Sequence, residues 1–125
     1  MKKKATIFTQ REVEKILGHK KIAEWVFAAI SKPPSHVGYT FRDMLKMMIV
    51  TYLNEKVGLA QRGVKLLLSR TSFCYELDTH DLTELTMQMF YPVGIMIQIE
   101  VSKFVLVLDD RISEVFPEKH KHLIW

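Results

Sequence analysis

Thr9-Gln10-Arg11-Glu12-Val13-Glu14-Lys15-Ile16-Leu17-Gly18 is the stretch on which the fold turns. Thr9 is a strong N-cap residue, and Glu12 stands three positions on, at the spacing of a capping box. Val13, Ile16 and Leu17 recur at the period of one helical face, and Gly18 stops the run as a left-handed cap does. A short helix with both ends written into the sequence is therefore expected here. Before it, Ala5-Thr6-Ile7-Phe8 reads as an extended lead. After it, a second short helix is expected from about His19 to Ala29, with Ile22, Trp25 and Val26 on one face.

Ser31-Lys32-Pro33-Pro34-Ser35-His36-Val37-Gly38 cannot be helical, because two prolines and a glycine interrupt it. Its length suits the loop of a β-hairpin. Thr40 opens a longer helix with Asp43 at its N3 position. Met44, Met47, Met48, Thr51, Tyr52 and Leu53 give that helix a broad apolar face, and Val57-Gly58 ends it. Leu59 to Ser69 is expected to form a fourth helix through Val64, Leu67 and Leu68.

The charge changes sign where this pattern ends. Residues 1–70 hold 14 Lys+Arg and 5 Asp+Glu, whereas residues 71–125 hold 4 and 9. A basic half joined to an acidic half suggests one part made for a polyanion and another made for something else. The reading is a division into residues 1–70, a basic unit suited to a polyanion such as DNA, and residues 71–125, a small acidic dimerisation or effector region.

In the second half, Thr79 to Tyr91 reads as helical, burying Leu82, Leu85 and Met89, until Pro92 and Gly94 break it. Ile95 to Val101 alternates with period two, and Phe104 to Leu108 follows after Ser102-Lys103. Two such runs around a polar pair predict a β-hairpin over residues 95–108. Ile112 to Phe116 would add a last turn before a largely polar tail. The fold class expected is α+β: a winged helix-turn-helix of four short helices and a hairpin wing, then a small helix plus β-hairpin.

Taken together, the residues resemble the MerR-type regulators. Thr9 to Val13 followed by Ile16-Leu17-Gly18 is similar to that family's opening. Ile22, Trp25, Ile30 and Pro33 follow the family spacing. Gly38-Tyr39-Thr40 with Asp43, and Leu53 to Leu59, resemble its third helix and the following turn; Val64, Leu67 and Leu68 complete the fourth. The resemblance spans roughly residues 6–70 and implies a transcription regulator that binds double-stranded DNA as a homodimer. It implies phosphate contacts from Gln10 and Arg11, contacts to bases or backbone from His19, Lys20 and Lys21, and contacts along the wing from Lys32, His36, Tyr39 and Arg42. Ala23-Glu24 stand where the family commonly has a basic residue, and the wing lacks an arginine before Tyr39. Those departures leave an alternative: an antitoxin-like interaction adaptor that keeps the fold without the DNA grip and meets a protein partner through residues 71–125.

No heptad run follows the fourth helix, so the long coiled coil of the family is not expected. Self-association is instead expected through the apolar hairpin, by Ile95, Ile97, Ile99, Val105 and Val107, because an unpaired sheet edge invites a second copy. The one cysteine, Cys74, reads as a small buried apolar residue and argues against thiolate metal sensing. His120 and His122 with Asp109 and Asp110 read as a solvated tail rather than a metal site. The methionines read as core filler first, with a pliable ligand pocket second. No phosphate loop, nucleophile elbow or H-E-x-x-H occurs, so no enzyme and no cofactor are expected. No run of apolar residues is long enough to span a membrane and no signal-peptide core follows Met1-Lys2-Lys3-Lys4; the expected location is the cytoplasm.

Overall fold

A computed structural model describes residues 4–18, 38–60, 62–64, 77, 81–90 and 96–125. Its elements are α1 (Gln10–Leu17), α2 (Phe41–Glu55), β1 (Thr86–Phe90), β2 (Met96–Glu100), α3 (Val101–Val115) and α4 (Pro117–Lys121). Residues 62–64 are also helical. The chain is thus α+β. The helix expected over 19–29, the loop at 31–37, Cys74 and most of the helix expected over 59–69 lie outside the described residues.

α1 forms as its sequence dictates. The Thr9 hydroxyl accepts from the Glu12 amide at 3.2 Å, and the Glu12 carboxylate accepts from the Thr9 amide at 2.8 Å, satisfying two amides that the helix leaves open. Gly18 closes it with φ +78° and its N–H on the Glu14 carbonyl. Val13, Ile16 and Leu17 face inward.

α2 is built the same way, with Thr40 and Asp43 exchanging hydrogen bonds of 3.2 and 3.0 Å. It is the central helix. Phe41, Met44, Leu45, Met47, Ile49, Val50 and Leu53 are buried, more than one stripe could hold, because α1 and α3 both pack on it. Before α2, Phe8 and Tyr39 form an antiparallel bridge with both N–H···O bonds at 2.8 Å. Gly38 makes this approach possible. Its φ is +83°, and a Cβ there would stand 2.1 Å from Cγ2 of Ile7.

The second half corrects the sequence reading. Residues 86–90, expected within a helix, are strand β1, paired antiparallel with β2 in the register Thr86↔Glu100, Met87↔Ile99, Gln88↔Gln98. Residues 104–108, expected as the second strand, belong to the 15-residue helix α3. The antiparallel pair therefore joins residues 86–90 to 96–100 rather than two runs within 95–108. The physical reason lies in a longer period: Val101, Val105, Leu108 and Ile112 are buried at spacings of four, three and four, one face of a helix packed on α1 and α2. With α3 starting directly at Val101, β2 can find a partner only on its N-terminal side. Val101 N–H to the Leu85 carbonyl, at 2.9 Å, fixes that junction.

One hydrophobic cluster joins Phe8, Val13 and Ile16 to Met44 and Leu53, and on to Ile99, Val105 and Ile112. It takes in residues from both sides of position 70. The tail, expected as largely polar and solvated, instead wraps back: Trp125 stacks on Phe41 at 4.4 Å with planes 1° apart, and Thr6 and Ile124 are tied by bonds of 2.8 and 2.9 Å.

Candidate nucleic-acid interface

The N-terminus of α1 is the part of the expected interface that the structure describes most fully. Gln10 and Arg11 are exposed in its first turn, where open backbone N–H groups and the positive end of the helix dipole favour an anion. Gln10 also reaches Glu14 one turn on, at 3.4 Å. The capping box holds this turn in place, so both side chains start from a fixed backbone.

A residue that sequence reading did not single out sits beside them. Nζ of Lys119, from α4, lies 2.9 Å from the Glu12 carboxylate, 3.0 Å from the Ile7 carbonyl and 4.8 Å from the centre of the Phe8 ring. Burial pushes the Glu12 carboxyl up, but hydrogen bonds from Lys119 and Thr9 and the lysine charge outweigh it, leaving Glu12 below its ordinary range. No local signal in the sequence connects positions 107 residues apart.

Two members of the expected set are committed elsewhere. Tyr39 is only 1% exposed, with its ring in the core, so it offers a duplex no surface. Burial first, and then the nearby Asp43 charge, raise its phenol above the usual range. The Arg42 guanidinium donates to the Leu77 carbonyl, and thereby ties α2 to a distant part of the chain. His19, Lys20, Lys21, Lys32 and His36 lie outside the described residues.

The expected dimerisation set is corrected more sharply. Ile97, Ile99 and Val105 are 9%, 2% and 6% exposed and belong to the core of a single chain. Alternation in β2 points the isoleucines inward, and Val105 lies on the buried face of α3. Val107 is exposed, and Ile95 lies outside the described residues. Among the described residues the large apolar groups most exposed are Leu106 and Met96, at 66% and 54%.

His120 Nε2 meets Asp109 Oδ1 at 3.1 Å, bracing α4 on α3. Among the described residues no three His, Cys, Asp or Glu side chains gather as a metal site, and no helix is long and apolar enough to cross a membrane. Compared with protein-family models, curated proteins and solved structures, the chain matches none.

Proposed function

We propose that the chain is a DNA-binding transcription regulator of winged-helix type, related in design to the MerR-type regulators it resembles. The observation that carries the reading is the pairing of charge segregation with a rigid α1 N-terminus: 14 basic against 5 acidic residues before position 71, and Gln10 and Arg11 exposed on a doubly capped first turn. The bridge between Phe8 and Tyr39 supports it by pinning the root of the expected wing to the start of α1. Gln10 and Arg11 would hold phosphate, and the basic residues between 19 and 36 would supply further backbone and base contacts.

One such unit reaches few base pairs, so useful specificity calls for two copies on the duplex. A second copy would pair through outward apolar groups such as Leu106 and Met96, because Ile97, Ile99 and Val105 are core. The same two residues favour the second reading, an interaction adaptor whose partner is another protein.

Fluorescence anisotropy on a labelled mixed-sequence duplex, at about 50 and 200 mM salt, tests the proposal. Binding that weakens steeply with salt, and that weakens again in Arg11→Ala, is expected. No binding at the lower salt would overturn the regulator reading in favour of the adaptor.

A further inference from the structure

α2, β2 and α3 converge on an open groove of about 600 Å³ that no part of the DNA reading uses. Met48 and Tyr52 stand one turn apart on α2; Phe104 and Val107 stand one turn apart on α3; Ile99 of β2 completes the apolar lining. Tyr52 and Phe104 meet edge to face at 5.3 Å and 77°, forming one joined aromatic surface in the lining. Tyr52 and Val107 remain 37% and 43% exposed, so the cost of leaving apolar surface in water has not been removed by the fold itself.

We propose that this groove binds an uncharged aromatic small molecule. The volume falls within the range of drug-sized sites, roughly 300–1,000 Å³. The walls supply aromatic, thioether and branched aliphatic contacts, which suit a flat ring system. The charge of the rim decides the rest. Glu100 and Lys103, which flank the opening, pair with each other at 2.8 Å. The rim therefore offers an ionic ligand no unpaired charge, whereas an uncharged one needs none and can use Gln98 for a single hydrogen bond. A peptide or a second chain would need a long apolar strip, and the apolar lining is instead confined to a few residues of α2, β2 and α3.

The test is a fluorescence titration with N-phenyl-1-naphthylamine, an uncharged aromatic amine whose emission rises in apolar surroundings, on the full chain. Saturable one-to-one binding in the micromolar range is expected, at the same affinity in low and high salt. Val107→Arg, at an exposed position, is expected to weaken it about tenfold or more with the circular-dichroism spectrum unchanged, since about 1.4 kcal/mol of contact is lost per decade. Val115→Arg, also exposed on α3 but outside the groove, is expected to leave it within about twofold. Absence of saturable binding, or equal binding by the Val107→Arg chain, overturns the proposal. So does tighter binding of the sulfonated analogue 1-anilinonaphthalene-8-sulfonate, which would make the ligand an anion. Light scattering that finds a wild-type dimer converted to monomer by Val107→Arg overturns it in favour of a second copy. None of these outcomes depends on DNA binding.

Discussion

Lys119 reaches back across 107 residues to place its ammonium group 2.9 Å from the Glu12 carboxylate, the same carboxylate that caps α1. One oxygen of Glu12 thus serves both the local helix start and the docking of the C-terminal helix. The lysine also bonds the Ile7 carbonyl, just ahead of the bridge at Phe8, so the lead, α1 and α4 meet at a single ammonium group.

Lys119→Met is expected to cost about 1 kcal/mol of stability, because the pair is partly exposed rather than buried. Acid should reveal the same contact. The Glu12 carboxyl lies lower in the folded chain than its ordinary 4.5, so on acidification the unfolded chain takes up the proton first. The contribution is complete above pH 4.5 and drains away as the pH falls through the folded value. Urea midpoints measured from pH 7 to pH 3 should therefore fall more steeply for wild type than for Lys119→Met. Parallel curves would refute this account.

Trp125→Ala is expected to lower stability by about 2 kcal/mol. The indole lies flat on Phe41, the first residue of the central helix, and its loss removes both apolar contact and ring stacking. Thermal or urea unfolding measures the loss directly. A change under a few tenths of a kcal/mol would show that the stack does not hold the tail.

Two glycines with similar φ should respond differently to alanine. Gly18→Ala meets open space and suffers only the left-handed backbone, about 1 kcal/mol. Gly38→Ala adds a methyl against Ile7 and the Phe8 carbonyl, and should cost at least twice as much. Ile7→Ala in the Gly38→Ala chain is expected to recover part of that loss and leave the backbone strain. Equal costs at the two glycines would contradict the packing at the bridge.

The contrast between the two halves explains what could be read from the sequence. α1 and α2 were legible because their determinants are local: Thr9 with Glu12 and Thr40 with Asp43 mark both starts, and Gly18 marks an end within the same ten residues. The hairpin was misplaced because its determinants are not. Phe104 to Leu108 is apolar throughout and matches a buried strand over five residues; only the run from Val101 to Ile112 shows the helical face. Leu82, Leu85 and Met89 stand at helical spacing, yet pairing with β2 outweighs that pattern over residues 86–90. At the candidate site, exposure of Gln10 and Arg11 follows from α1 alone. The ties of Arg42 to Leu77 and of Lys119 to Glu12 cross 35 and 107 residues, and no spacing rule reaches that far.

Burial now separates two kinds of substitution that the sequence made look alike. Ile99 and Val105 are core residues, so Ile99→Lys or Val105→Lys leaves an ammonium group in an apolar cluster and should cost about 3 kcal/mol or more, enough to unfold a domain of this size in part. Leu106, one position along α3 from Val105, points outward, and Leu106→Arg should change stability by no more than about 0.5 kcal/mol. Circular dichroism and urea titration distinguish the three. Leu106→Arg is then the variant that can report on pairing of copies, since it keeps the fold while placing a charge on the exposed face. If two chains pair there, light scattering at tens of micromolar should show dimers for wild type and monomers for Leu106→Arg, with weaker duplex binding in the variant. A wild-type chain that is monomeric at that concentration, or a Leu106→Arg chain that still dimerises, would remove this face as the interface.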